Sequence, residues 1–196
     1  LALILPFWVM LSGSLMTSEQ LNSQHVGFLP KVLTFTHYID AFQKVPLGQY
    51  LLNSILVSAT ASIIQLIIAA MAAFGFAQLN FRGKNILFAI VLMTMMVPPQ
   101  VNLVPLFLLM KSAHLVDTFW ALVIPGCISA FGIFLLRQWF LGLPRDLEAA
   151  ATLDGCNTWH YFWRIALPLV LPALVALGLY AFIGNWNNFI WPLVVI

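Results

Sequence analysis

The 196 residues are 62% apolar and 7% charged, with eight basic and six acidic side chains, a formal net charge of +2 and a mean hydropathy of +0.99. A soluble domain carries about a quarter charged residues, so this chain lacks the surface that water requires. Soluble enzymes and disordered chains are excluded, and nucleic acid is excluded as a partner because no basic run exists to track a phosphate backbone.

A helix needs about 20 apolar residues to cross the hydrocarbon core, and the chain-order reading follows from that length. Residues 1–11 begin inside one apolar run and 191–196 end inside another, so 1–196 reads as a single membrane domain cut in its first and last segments. Residues 17–49 collect Ser, Asn, Gln and His with Pro30 and Pro46 as turn markers, and read as an ordered external loop with a short helix near 38–44. Residues 45–81 carry no charge, with Gln65 polar in the middle. Residues 85–110 are also uncharged, but Pro98, Pro99 and Pro105 predict that a straight helix ends near Val97. Residues 119–136, bracketed by Asp117 and Arg137, and 165–183, which follow Arg164, complete an all-α polytopic protein of about five spans.

Alternation puts Arg82, Lys84, Arg137, Arg145 and Arg164 on one side and Lys31, Lys44 and Lys111 on the other, which makes loop 17–49 external and loop 143–164 cytoplasmic. Trp120 and Trp139 near opposite ends of one span, and Trp186 and Trp191 beyond another, suit interfacial anchors.

Backbone groups in hydrocarbon must be paired within the protein. The prolines in residues 97–106 therefore have two readings: neighbouring helices supply the missing partners, or the broken segment, with Gln100 and Asn102, lines a watery path. No ionisable side chain occupies the middle of a span, which argues against ion coupling. No catalytic residue, metal set or cofactor site is expected on this chain. His114 and Asp117 share an interfacial turn, His25, His37 and His160 are scattered, and Cys127 and Cys156 lack metal spacing and read as structural.

Loop 143–164 is the informative segment. Asp146 is placed to cap a helix, Glu148 suits its first turn, Ala149, Ala150 and Ala151 propagate it, and Gly155 can take the left-handed conformation that ends it. Asn157 or Thr158 can cap a second helix rich in Trp159, Tyr161, Phe162 and Trp163. Such an elbow either docks another surface against its small alanine face or rests at the interface.

The order Ala149-Ala150-Ala151-x-x-Asp154-Gly155, then nine residues, then Ile165-x-Leu167-Pro168, resembles the signature loop of the membrane subunits of bacterial binding-protein-dependent ABC importers. Leu51-Leu52-Asn53-Ser54, Phe81-Arg82-Gly83-Lys84, Val97-Pro98-Pro99 and Trp186-Asn187-x-Phe189-x-Trp191-Pro192-Leu193 are similar to the carbohydrate-importing branch, that of the maltose and glycerol-phosphate permeases. The resemblance implies six spans and a multi-pass place in the bacterial inner (plasma) membrane. It implies a coupling loop, 147–164, built on Glu148, Ala149, Ala150, Asp154, Gly155, Ile165, Leu167 and Pro168. It further implies separate ABC ATPase subunits, a second permease subunit and an external solute-binding protein as partners. The lipid bilayer is the remaining partner, and no phosphate-binding loop is present in this chain. The family's glutamate position falls on Ala149, whereas the acid here is Glu148, one helical step of about 100° away. Gln65, Gln100, Asn102 and Asn185 are the candidate solute-path residues. A passive channel or ion-coupled carrier is the alternative function.

Overall fold

A computed structural model describes residues 3–22 and 29–196. His25 lies outside them. Among the described residues every regular element is helical. The chain divides into two compact units, Leu1–Asn53 and Ser54–Ile196.

In the first unit α1 (Leu5–Ser14) carries Pro6 in its first turn, where the missing N–H costs nothing. The one-turn α2 (Ser18–Leu21) is capped by the Thr17 hydroxyl, which accepts from the Gln20 N–H. Helix α3 (Thr36–Lys44) begins two residues before the expected 38. Among the bonds that tie this unit together, the Thr34 N–H donates to the Leu15 carbonyl at 3.0 Å, His37 Nε2 lies 2.9 Å from the Met16 carbonyl, and the Ser14 and Tyr38 hydroxyls are 2.7 Å apart. His37 is thereby a structural tie. The Lys44 ammonium, 2.7 Å from Asp40, holds that carboxyl below the usual carboxylate range.

Helix α4 (Leu47–Gln78) has 32 residues, roughly 48 Å at 1.5 Å per residue, and crosses the unit boundary. It is the one described helix long and apolar enough to span a bilayer alone. In the second unit it buries a stripe of mostly small residues, Ser58, Ser62, Gln65, Ala69 and Ala73, at three- and four-residue intervals, with Ala61 beside it. In lipid, helices associate by close packing rather than by hydrophobic expulsion, and small residues let backbones approach. Gly132 and Leu177 pack beside Ala69 on this stripe.

The other expected spans are bent. Helices α5 (Lys84–Thr94) and α6 (Leu103–Ser112) are separated by the 3-10 turn Pro99–Asn102 and bend by 92°. Thus the straight segment ends at Thr94, three residues before Val97. Helix α7 (Phe119–Val123), with the 3-10 turn Ile124–Cys127, is set at 42° to α8 (Ala130–Leu141). Residues 119–136 are therefore not one straight helix: Pro125 removes a donor, and the Ser129 hydroxyl captures the Gly132 N–H at 3.1 Å to begin a new one. Helices α9 (Arg145–Leu153) and α10 (Thr158–Tyr161) form the elbow. From there a π-helical turn, Phe162–Ala166, and the short α11 (Leu167–Leu169) lead to α12 (Leu171–Trp186). The break at Val170, flanked by Pro168 and Pro172, bends that path by 77°. Among the described residues, counting each bent pair as one span gives up to four spans by length and composition.

Helix α13 (Ile190–Val195) corrects the reading of Trp191 as an interfacial anchor. Its ring is buried against Met110 and Ala121, and its indole N–H donates to the Ala121 carbonyl at 2.9 Å. Among the described residues both cysteines are free. The Cys127 thiol is buried and bonds the Val123 carbonyl.

A Cβ on Gly132 would sit 3.1 Å from Leu177 Cδ2 and 3.4 Å from Ala69 Cβ, whereas one on Gly75 meets nothing within 4 Å. Gly132→Leu should therefore lower the unfolding temperature of the detergent-purified chain, an overpacking cost of about 1–3 kcal/mol. Gly75→Ala should not lower it. Equal melting curves for the two variants would contradict the packing described.

Candidate functional site

Two regions of the second unit combine unusual backbone with chemistry. The first is the elbow. Pro144 rather than Asp146 occupies the N-cap of α9, and no side chain caps it; Asp146 and Glu148 lie in the first turn, where their charge favours the helix dipole. At the other end Gly155 has φ +77°, its N–H donates to the Thr152 carbonyl and the Cys156 N–H to the Ala151 carbonyl. That pair of bonds is a Schellman cap, which needs a left-handed residue where Gly155 stands. Two residues later the Asn157 side chain accepts from the His160 N–H at 2.8 Å and opens α10. His160 is thus occupied with the cap.

The elbow has an inner and an outer side. Ala151, Tyr161 and Phe162 are buried in the main core together with Phe74, Ile133, Leu136 and Phe140. Phe74 meets Phe162 at 5.0 Å, Phe140 at 5.6 Å and Tyr161 at 6.1 Å between ring centroids. On the outer side Ala149, Ala150, Asp154 and Gly155 are exposed, and Leu153 is 89% exposed. Glu148, three residues before the buried Ala151, is only half-exposed. Ile165 and Leu167 are half-buried against the core, and Pro168 is exposed.

The second region is a cleft of about 920 Å³ where the breaks in α5–α6 and α7–α8 meet the ends of α12 and α13. Gln100, Asn102 and Asn185 line it. Asn187, Asn188, Thr94 and Tyr180 join them, and no charged side chain does. Gln65 is not part of this lining: it is buried on the α4 stripe. Asn185 is held by a 3.0 Å bond to the Ala181 carbonyl and a 3.4 Å bond to the Ser62 hydroxyl. Gly126 lets it fit, since a Cβ there would be 2.7 Å from Asn185 Oδ1. Tyr180 and Asn188 were missed in the sequence because Tyr180 stands inside an apolar run and Asn188 at an unspecified position of the pattern from Trp186 to Leu193.

His114 and Asp117 both have positive φ, at 56° and 60°, and the Asp117 N–H donates to the Val195 carbonyl at 3.0 Å. Their turn is structural. Among the described residues no group of three His, Cys, Asp or Glu side chains gathers.

Residues 65–196 match the family model described as binding-protein-dependent transport system inner membrane component. The arabinooligosaccharides transport system permease protein AraQ of Bacillus subtilis is 36% identical over 196 residues, covering 98% of this chain and 70% of that protein. The lactose transport system permease protein LacG of Rhizobium radiobacter is 31% identical, with 98% and 70% covered. Among solved structures, a bacterial ABC transporter that imports the acidic polysaccharide alginate matches with a TM-score of 0.92 and 25% identity, over 100% of this chain and 69% of that one.

If the cleft holds water, single cysteines at Gln100, Asn102 and Asn187, in a background with Cys127 and Cys156 replaced by Ser, should react with a membrane-impermeant maleimide. Cysteines at buried Ala69 and Leu177 should not. Equal labelling at all five positions would argue against a discrete cleft.

Proposed function

This chain belongs to the inner membrane components of binding-protein-dependent transport systems, and we propose that it is the permease subunit of an ATP-driven carbohydrate importer, multi-pass in the bacterial inner membrane. ATP hydrolysis resides on separate ABC ATPase subunits. A second permease subunit completes the solute path, and an external solute-binding protein delivers the solute. Loop 17–49 faces outward, and loop 143–164 faces the cytoplasm, as the basic residues near the spans favour.

The observation that carries this reading is the two-sided elbow. Its inner side is part of the bundle core, while its outer side offers two alanines and the exposed Leu153 to a partner. A small-residue face admits close approach, and an exposed leucine beside it is the apolar knob that a groove on an ATPase subunit would take. Glu148, Asp154, Gly155, Ile165, Leu167 and Pro168 then belong to the coupling loop by setting the elbow's shape and its junction with α12. Closure of the ATPase pair would bias a membrane assembly with two states through this contact.

The amide cleft suits an uncharged, hydroxyl-rich solute. Asn and Gln offer both donors and acceptors, Tyr180, Phe131 and Phe189 offer ring faces, and the volume lies in the range of about 300–1,000 Å³ usual for ligand sites. Asn185, Gln100 and Asn102 are its polar contacts. The names of AraQ and LacG make an oligosaccharide the first solute to test.

In native membranes, single cysteines placed from 148 to 158 of the full-length chain should cross-link to an ATP-binding subunit, and the pattern should change with ATP. No adduct at any position of a correctly inserted chain would favour a passive channel or ion-coupled carrier. Gly155→Val adds a Cβ at a left-handed position, costing about 1 kcal/mol. It should leave insertion intact but misaim the elbow, lowering ATP-driven uptake of arabinooligosaccharide by roughly tenfold or more. Undiminished uptake would remove Gly155 from the coupling mechanism.

A further inference from the structure

A second cleft, of about 850 Å³, lies where the turn after α4 meets the starts of α5 and α9. Arg82, Lys84, Arg137 and Arg145 line it, and no carboxylate does. The one ion pair among the described residues, Lys44–Asp40, is elsewhere. Two of these cations are fixed by the backbone. Lys84 donates to the Ala77 and Leu79 carbonyls at 3.1 and 2.8 Å. Arg137 Nε donates to the Phe76 carbonyl at 3.1 Å with the guanidinium 4.1 Å over the Phe88 ring, leaving its terminal nitrogens unbonded. These bonds offset the C-terminal dipole of α4, worth roughly half a negative charge, which leaves an excess of more than about three positive charges to be balanced. Helices α5 and α9 add their positive ends, because Lys84 and Arg145 are their first residues. The N–H groups of Asn85 and Ile86, in the first turn of α5 and lining the cleft, have no protein acceptor.

From this excess we infer that the cleft binds a phosphodiester anion, and that its source is the headgroup of an anionic phospholipid in the cytoplasmic leaflet. The apolar surroundings decide for a lipid over free phosphate. Ile86 lines the cleft, and Ile90 and Met93 continue it along α5 at four- and three-residue steps, all three exposed. That strip gives an acyl chain a path leading away from the charges. A basic pocket between spans on the cytoplasmic side is the arrangement that holds anionic headgroups. The positive-inside bias alone would spread these cations over a surface. Here two are pinned and all four share one concavity. The inference requires only that the chain lie in a membrane with this end toward the cytoplasm, so it stands or falls separately from the importer reading.

The test uses the full-length chain, assembled with whatever subunits co-purify, in detergent with added dioleoyl phosphatidylglycerol or dioleoyl phosphatidylcholine. Native mass spectrometry and melting temperature are the readouts. Wild type should retain phosphatidylglycerol, gain thermal stability from it, and show neither effect with phosphatidylcholine. Arg82→Gln with Arg145→Gln removes two exposed cations that make no bond to the protein, so it should keep the fold while reducing retention at least fivefold. Inorganic phosphate at millimolar concentration should not displace the lipid. Equal retention of the two lipids, or equal retention by wild type and variant, would overturn the site, and displacement by phosphate would overturn the lipid as its ligand.

Discussion

Phe74 is the contact on which the rest of this structure depends. One side chain of α4 touches Tyr161 and Phe162 of the elbow and Phe140 of α8, all within 6.1 Å between centroids. Each aromatic pair adds about 0.5–1.5 kcal/mol beyond area burial, which matters more in lipid, where apolar burial itself drives little association. The backbone reinforces the same place: Gln78 of α4 donates to the Phe140 carbonyl at 2.6 Å, and Arg137 of α8 donates back to Phe76. The elbow therefore cannot tilt without moving α4 and α8. A loosely tethered interfacial helix would have no such consequence.

Rigidity at that end contrasts with the broken helices at the other. The 92° bend after α5 and the 42° bend after α7 both free backbone groups, and both border the amide cleft. Irregular backbone at membrane depth persists only where protein or water supplies partners. Asn185, bonded to Ala181 and Ser62 and pressed against Gly126, shows how closely that rim is packed. The same prolines that weaken these helices as spans give the cleft its shape.

What could be read from the sequence was what a few adjacent residues decide. Gly155 as a left-handed stop, Asn157 as a cap and the helix ending near Val97 all follow from local chemistry, and each is found at or within a few residues of its expected place. Asp146 failed as a cap because Pro144 already fixes the turn's φ. The break at Val170 was not legible, since proline in a span can be absorbed or can bend it, and neighbouring helices decide which. The places of Trp191 and Gln65 were not legible for a related reason. An aromatic beyond a span and an amide within one look alike to the sequence whether they face lipid, cleft or core, and here both are buried.

The displaced acid shows how one residue step changes chemistry on a helix this short. Burial of Ala151 sets the rotation of α9, so the position three before it turns toward the bundle and the next turns away. Glu148 falls on the inward flank, and Ala149 stands where a carboxylate would project outward. The outer face of this elbow is consequently uncharged between Asp146 and Asp154, and what it exposes there is Leu147, Ala149, Ala150, Thr152 and Leu153. A partner groove that takes it must be held by shape and apolar burial rather than by an ion pair at position 149. On the proposed reading such a contact would be insensitive to salt but intolerant of any change in the elbow's angle, which is set by the cap at Gly155 and the ring of Phe74.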